Sequence, residues 1–264
     1  MTLKHTWVIY KKATLLNLSN WMTYRSSFIF FLIGIVVFNL FGPILAYIIY
    51  SNNLTFPGWT LYQIYVLIGS LTILTGLGWY FTGAITWISE GLIRKGKFDT
   101  MLIHPFAPLK LLILKNPDVG SISELCFGSV LVIYAMFKIG ATITSTHVLF
   151  YLLTLLSGVM FLFSTNIIIA ALNFYFVRVS SIQSFVESMI GFSRYPINIY
   201  GPMGLFIFTF LFPIGLISYY PATALTGSAN FFIVVRSLLF GGGYLLFSLL
   251  LWRQAMKHYT SAGG

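Results

Sequence analysis

The chain has 264 residues and a formal net charge of +10; 58% of its residues are hydrophobic and only 8% are charged. A water-soluble domain carries about 25% charged residues because its surface must be solvated, so this composition indicates a protein surrounded by lipid. The positive balance would suggest nucleic-acid binding in a soluble protein, but here we expect no nucleic-acid partner. Cys126 is the only cysteine, which excludes an internal disulfide and a multi-cysteine metal site.

The first elements along the chain follow from the distribution of charge. Residues 1–27 mix basic and polar residues with Leu3, Trp7 and Tyr10 near one side of a helix. We expect a cytoplasmic helix that lies on the inner membrane surface, with a disordered basic tail as the alternative. Residues 26 to 89 contain no charged residue and no histidine, and one crossing needs about 20 residues. The turn-forming run SNNLTFPG divides this stretch, which predicts spans at 28–50 and 61–88.

The rest of the chain predicts four further spans and an orientation. These spans are at 119–139, 148–177, 202–217 and 231–252. The sequence therefore predicts an all-α fold, with residues 1–264 forming one transmembrane domain of six helices. If both termini are cytoplasmic, only Lys138 and Arg236 of the 15 Lys and Arg residues fall near the outer side. Because cytoplasmic loops collect Lys and Arg, we predict an N-in, C-in topology.

The charged segment between the second and third spans, residues 89–118, is the strongest indication of a function. Gly91, four residues and a Gly-Lys pair imitate a phosphate-binding loop, but Phe98 stands where that loop needs Ser or Thr for Mg²⁺. The segment also follows a membrane helix rather than a β-strand, so we exclude a nucleotide site. Pro105 and Pro108 end any helix and fix the direction of the loop. We predict a docking loop; a basic loop that only obeys the positive-inside rule is the alternative.

Three stretches of the sequence resemble permease subunits of type 2 ABC exporters. The run DTMLIHP at 99–105 is similar to their Leu-Leu-Arg-Pro-like element after the second span, with His104 where Arg is typical. The run FSRYPINIY at 192–200 resembles the start of their fifth helix, and PIGLISYYPA at 213–222 resembles the outer half-helices before the sixth. At the level of topology the resemblance covers nearly the whole chain.

The resemblance implies a particular assembly. Two permeases, identical or related, would form a dimer around a central path in the membrane of a prokaryotic cell. A separate ATPase dimer would dock beneath them and hold ATP and Mg²⁺, so this chain would need no cofactor and no catalytic residue. One coupling helix of each permease, at about 90–102, would sit in each ATPase, with the N-terminal helix beside it. The cargo suggested by the family is lipid-like or amphipathic.

The candidate coupling residues lie in the loop at 89–118, called the coupling loop below. In this hypothesis its charges meet complementary groups on the ATPase, and Phe98 fills a groove in that protein. The candidates are Glu90, Gly91, Arg94, Lys97, Phe98, Asp99, Leu102, His104 and Pro105.

Proline and polar residues inside the apolar stretches supply two further candidate sets. Prolines and glycine leave backbone groups that lipid penalises unless protein or water pairs with them. A pair of re-entrant segments before the last helix would satisfy them; a kinked fifth helix is the alternative. The re-entrant candidates are Pro213, Gly215, Tyr219, Tyr220 and Pro221. The path-lining candidates are Gln63, Asn166, Asn173 and Arg236. For the three amides the alternative is hydrogen bonding between helices. For the arginine the alternatives are a side chain that snorkels to the headgroups and a bound anionic lipid.

Three other functions compete with an ATP-driven permease. An ion-coupled secondary transporter or a channel usually carries ionisable residues at mid-membrane depth, and here no acid lies deeper than Glu124. A membrane-embedded enzyme is disfavoured because the four histidines are dispersed and none pairs with an acid at helical spacing, so we expect no metal site. A scaffold subunit without a path of its own is consistent with the same sequence.

Overall fold

The computed structural model describes residues 3–23, 25–176 and 179–259, and all regular secondary structure in these residues is helical. This confirms the predicted all-α fold. Residue 177, the predicted end of the fourth span, lies outside the described residues. The helices are α1 (Leu3–Thr23), α2 (Arg25–Ser51), α3 (Leu61–Gly78), α4 (Ala84–Arg94), α5 (Asp99–Leu102), α6 (Pro108–Lys115), α7 (Ile122–Ile139), α8 (Ser145–Leu172), α9 (Ser180–Gly191), α10 (Gly201–Phe206), α11 (Tyr219–Leu225) and α12 (Phe231–Met256).

Five stretches of the described residues are long and apolar enough to cross a membrane, and a bent pair of helices brings the number to as many as six. In the second stretch, α3 continues through the π-helical turn Trp79–Gly83 into α4, so the helix extends past the predicted end at residue 88. The stretches are Phe28–Ser51, Leu61–Arg94, Val119–Ile139, Ser145–Leu172 and Phe231–Met256.

Side-chain caps begin several of these helices at the predicted turns. Thr60 and Gln63 form a capping box at the start of α3, which satisfies backbone N–H groups that a helix start leaves unpaired. The side chain of Thr144 accepts a hydrogen bond from the backbone N–H of His147 at the start of α8. Gly140, with φ of 64°, ends α7 in the left-handed conformation that favours glycine.

Glycine residues allow the central helices to pack closely. A Cβ atom on Gly128 of α7 would lie 2.7 Å from the carbonyl oxygen of Gly69 on α3. A Cβ atom on Gly241 of α12 would lie 2.7 Å from the carbonyl oxygen of Ser157 on α8. Small residues at such crossings let helix backbones approach where lipid provides no hydrophobic driving force. The result is a bundle with α3 and α8 at its centre.

Between α8 and α12 the structure differs from the predicted fifth span at 202–217. Two arms, Ile197–Leu211 and Ile214–Leu225, meet at an angle of 74°; we call them the bent hairpin. Its first arm begins where Asn198 donates a hydrogen bond to the carbonyl oxygen of Pro57 in the α2–α3 loop. Its second arm is followed by Gly227, which lies beside His147 at the start of α8. The bent hairpin therefore starts and finishes at one end of the bundle, opposite the coupling loop, and its bend lies between.

The chain returns to that end through α9. This helix begins after α8, near the coupling-loop end, and is followed by Tyr195, whose ring lies 5.7 Å from that of Phe56 in the α2–α3 loop. The N-in, C-in topology predicted from the charges places the segment at 178–200, which holds Glu187 and Arg194, on the inner side. In the structure Arg194 borders a small cavity together with Phe56 and Ile64, so it lies near the α2–α3 loop rather than near the coupling loop. Arg178 lies outside the described residues.

Helix α1 packs beside the coupling loop, as the resemblance implies. The side-chain amide of Asn17 donates a hydrogen bond to the carbonyl oxygen of Pro117, 3.1 Å away. The ring of Tyr10 lies 6.1 Å from that of Phe81 and 6.3 Å from that of Tyr80. Burial in this contact, followed by the hydrogen bond with Tyr80, raises the pKa of the Tyr10 phenol. α1 is therefore held against the π-helical turn between α3 and α4.

Candidate functional site

The coupling loop begins with a glycine-dependent turn at the end of α4. Gly96 has φ of 64°, a conformation that a residue with a Cβ rarely adopts. The backbone N–H of Lys97 then bonds to the carbonyl oxygen of Leu92, 2.8 Å away, which closes the helix end. The turn directs the chain into the short helix α5, and Pro108 begins α6. Gly91 lies within α4, where a Cβ atom would have open space around it, so no close approach requires a glycine there.

Phe98 anchors this loop to the body of the permease. Its side chain is fully buried, and its ring lies 5.2 Å from that of Phe174 and 5.1 Å from that of Tyr259. Trp252 belongs to the same cluster. The structure therefore contradicts the prediction that Phe98 fills a groove in another protein, because the ring already fills one formed by residues after α8 and at the end of α12.

The exposed part of the coupling loop is an apolar tip with basic residues around it. Leu102 is 51% and Ile103 is 84% exposed, and His104 and Pro105 are also exposed. We call residues 102–105 the loop tip. Ile103 is not among the predicted coupling residues, although an apolar pair inside a charged loop is the signal that would have identified it.

The charged residues of the loop occupy different environments. Arg94 and Lys97 are exposed, and Arg94 makes a long ion pair of 3.9 Å with Glu90 in α4. Asp99 lies beside Tyr259, and burial followed by the negative charge of this carboxylate raises the pKa of the Tyr259 phenol. The charged coupling residues therefore divide into two groups: Arg94 and Lys97 face solvent, whereas Asp99 lies near the anchor.

A second candidate site is a cavity of about 300 Å³ that lies between α2, α3, α7, α8 and α9. Glu124 at the start of α7 accepts a hydrogen bond from the Thr75 hydroxyl, 3.2 Å away. Glu187 on α9 accepts one from the Gln183 amide, 2.9 Å away. Arg194 follows α9, and its guanidinium lies 5.7 Å from the ring centre of Phe38. The polar side chains that line the cavity are Asn39, Thr72, Thr75, Glu124, Thr165, Asn166, Gln183, Glu187 and Arg194.

One of the four predicted path-lining residues lines this cavity. Asn166 does so while its amide donates to Thr82. Gln63 instead caps α3, and the amide of Asn173 donates to the Ser89 hydroxyl near the coupling loop. Arg236 donates to the Tyr220 hydroxyl, 3.1 Å away. Of these three contacts, only that of Asn173 is the cross-helix hydrogen bond that the alternative interpretation expects, since Gln63 caps its own helix.

The charged residues of the cavity were missed as a group. The signal for them is a helical face, because Gln183, Glu187 and Arg194 recur at intervals of four and seven residues. By composition alone, the charges of Glu187 and Arg194 favour a cytoplasmic loop. That interpretation does not take the helical spacing of these residues into account.

The re-entrant candidates lie in the bent hairpin and are enclosed by protein. Pro213, Gly215, Tyr220 and Pro221 are buried. The ring of Tyr219 lies 5.5 Å from that of Trp59, with the two ring planes tilted by 54°. At the bend, the Tyr244 hydroxyl of α12 donates to the carbonyl oxygen of Leu211, 2.6 Å away. Side chains therefore supply partners for the backbone groups that the break in the helix releases.

Within the described residues, no group of three or more His, Cys, Asp and Glu side chains is placed to hold a metal ion. A search of curated proteins and a search of solved structures found no match. The model of the family described as ABC-2 family transporter protein matches residues 15–263, which include all the spans, the coupling loop and the cavity. The chain is therefore an integral membrane protein that belongs to the ABC-2 transporter family, in which it is of the permease type.

Proposed function

We propose that this chain is the permease subunit of an exporter that pairs with a second permease and is driven by a separate ATPase dimer, in the plasma membrane of a prokaryotic cell. The observation that carries the proposal is the division of the coupling loop into a buried anchor and an exposed tip. Phe98 is fully buried while Ile103, five residues later, is 84% exposed. A loop that only satisfied the positive-inside rule would need neither feature.

The chemistry of the loop tip fits a protein partner. Leu102 and Ile103 supply an apolar centre, and Arg94 and Lys97 supply positive charge at its rim. Protein interfaces commonly combine an apolar core with a polar rim. The ATPase would therefore present an apolar groove with acidic residues beside it, and ATP and Mg²⁺ would be bound by that partner.

The anchor gives the docked ATPase a mechanical connection to the membrane helices. Phe98 contacts Phe174, which follows α8, and Tyr259, which follows α12. When nucleotide binding brings the two ATPase subunits together, a displaced loop tip would move the ends of both helices. Transport would then follow from reorientation of these helices around the path between two permeases.

The first experiment is affinity purification from native membranes in a mild detergent, with mass spectrometry of the bound proteins. We expect an ATPase in about a one-to-one ratio with membrane subunits. Ile103→Glu should abolish its recovery, because the change places a charge in the centre of the interface. The matched control is Ile143→Glu, since Ile143 is 51% exposed in the loop between α7 and α8 at the opposite end of the bundle. Equal recovery with both variants would refute docking at the loop tip.

The cavity carboxylates favour one second candidate function, an ion-coupled transporter, because intramembrane acids often bind the coupling ion. Transport by proteoliposomes separates the two functions. If the proposed function is correct, transport requires both the ATPase and ATP. It also persists when an ionophore collapses the ion gradients. Transport by the permease alone that stops with the ionophore would support the ion-coupled mechanism instead.

A further inference from the structure

Three charged side chains face the cavity between α2 and α9, and none of them forms an ion pair with a described residue. The carboxylate of Glu124 is held by the Thr75 hydroxyl and that of Glu187 by the Gln183 amide. The guanidinium of Arg194 lies over the ring of Phe38. Glu187 is exposed, whereas Glu124 and Arg194 are partly buried. An ionisable side chain buried within a membrane protein is costly, and proteins retain it mainly where it serves a function.

The two signs of charge lie toward different ends of the cavity. Glu187 and Arg194 are seven residues apart along α9 and the turn after it, which corresponds to about 10 Å of helix axis. Arg194 also borders a smaller cavity with Phe56 and Ile64, on the side of the α2–α3 loop. Glu124 lies at the start of α7, nearer to the coupling loop. The cavity is thus negative toward the coupling loop and positive toward the opposite end.

Apolar and aromatic side chains complete the lining. Phe38, Leu71 and Leu162 offer hydrocarbon surface, and Trp79 lies with Glu124 among the lining residues. An indole ring attracts an ammonium group through its negative face. The volume of about 300 Å³ is at the lower limit for sites of small ligands, which are about 300–1,000 Å³. Glu187 is exposed, so the cavity is open on the α9 side.

We propose that this cavity binds the head of a zwitterionic amphiphile, with its ammonium group between Glu124, Glu187 and Trp79 and its anionic group at Arg194. The apolar part of the ligand would lie along Phe38 and leave through the opening beside α9. This inference deepens the proposed function and depends on it only for the step from binding to transport. Binding itself requires neither the ATPase nor a second permease.

Hydrogen bonding between helices is the structural role that competes with a ligand site. Neutral side chains would serve that role, because a Gln in place of Glu187 could still bond to Gln183. Glu124 and Arg194 are partly buried and line the same cavity, and neither forms an ion pair with a described residue, so these two charges are left to be compensated by something else. A ligand with both charges would place its anionic group where it accepts charge-assisted hydrogen bonds from the Arg194 guanidinium, and its ammonium group where it attracts the carboxylates electrostatically.

The test uses the purified permease alone in a neutral maltoside detergent, with binding followed by isothermal titration calorimetry. The probes share one chain length: octylphosphocholine is zwitterionic, octyltrimethylammonium is only cationic, and octyl glucoside is neutral. We expect octylphosphocholine to bind at least about tenfold more tightly than the other two, because only its phosphate group can accept a charge-assisted hydrogen bond from Arg194. A hydrogen bond to a charged group contributes about 1.5–3 kcal/mol, which is at least tenfold in affinity.

Two variants separate the charges, and their effects differ in direction. Glu187→Gln should weaken both octylphosphocholine and octyltrimethylammonium by about fivefold or more, because it removes the Coulomb attraction between a carboxylate and the quaternary ammonium group, which is at least about 1 kcal/mol at 4 Å. Arg194→Gln should weaken octylphosphocholine but strengthen octyltrimethylammonium, since it removes a like charge from the cavity. Lys138→Gln is the control, because Lys138 is at the end of α7 with its ammonium over the ring of Tyr134.

Equal affinity of the wild-type protein for the three probes would overturn the proposal, and this comparison needs no variant to fold. A parallel loss of both charged probes in Arg194→Gln would also overturn it. Failure to recover an ATPase would contradict the proposed function while leaving this result unaffected. Conversely, an ATPase that co-purifies with a permease indifferent to the three probes would leave the proposed function intact and remove the site.

Discussion

Replacing Phe98 by alanine should separate the two halves of the coupling loop. The ring is fully buried against Phe174 and Tyr259, and truncation of a core phenylalanine costs about 3–5 kcal/mol. If that loss falls on the anchored state of the loop, about 3 kcal/mol shifts its equilibrium toward release by more than 100-fold. The loop tip is exposed and does not take part in this packing. We therefore expect Phe98→Ala to retain the ATPase and lose ATP-driven transport.

Three measurements check this reasoning. Thermal unfolding of the purified permease should show a lower midpoint for Phe98→Ala, co-purification should still recover the ATPase, and proteoliposomes should show ATP hydrolysis without transport. Phe98→Leu is the conservative control, since it keeps most of the buried volume and should retain transport. Ile103→Glu is the reciprocal control and should keep the unfolding midpoint but lose the ATPase. The reasoning is refuted if Phe98→Ala releases the ATPase while its unfolding midpoint stays at the wild-type value.

Two further predictions concern the path of the chain and its packing. The first uses single cysteines in a variant without the native cysteine. Cysteines introduced at Asn53 and Asn198 should react with an impermeant thiol reagent from one side of the membrane, and a cysteine at Lys97 should react from the other side. Labelling of positions 198 and 97 from the same side would exclude the described course of α9. Gly128→Ala should lower the unfolding midpoint, because its Cβ atom would lie 2.7 Å from a backbone oxygen of α3. Gly34→Ala, with open space at that position, should leave the midpoint unchanged, and equal effects of the two would contradict the packing.

Most of the fold could be predicted because apolar length alone identifies a long membrane helix. The stretches Phe28–Ser51 and Ser145–Leu172 have mean hydropathies of 2.5 and 2.1 and admit no soluble interpretation. α9 could not be found in this way, since it has only 12 residues and presents Gln183 and Glu187 to a cavity. A helix of this length with polar residues among its apolar ones gives no hydropathy signal for a membrane span.

The role of Phe98 shows a different limit of the sequence. An aromatic residue in a charged loop fits a partner's groove as well as a groove of its own chain, and local pattern does not distinguish them. The distinction depends on Phe174 and Tyr259, which are distant in sequence and reach the loop only when α8 and α12 end side by side. The location of the loop was therefore predictable, whereas the direction in which each side chain points depends on tertiary contacts.

The same two helices connect the anchor with the bend of the hairpin. At the coupling end, Phe174 packs against Trp252 of α12, with ring centres 5.4 Å apart. Further along the bundle, Tyr244 of α12 bonds to the carbonyl oxygen of Leu211, and Phe161 of α8 packs against Phe212, with ring centres 5.4 Å apart.

Tyr244 and Trp252 are eight residues apart, or about 12 Å along the axis of α12. Rigid helices that contact two distant sites can couple them when both sites have two arrangements. In the proposed mechanism the anchor is either held or released, and the break between the two arms of the bent hairpin is the point at which the arms would reorient. In the proposed mechanism, a push on the loop tip would therefore reach the bend through α8 and α12.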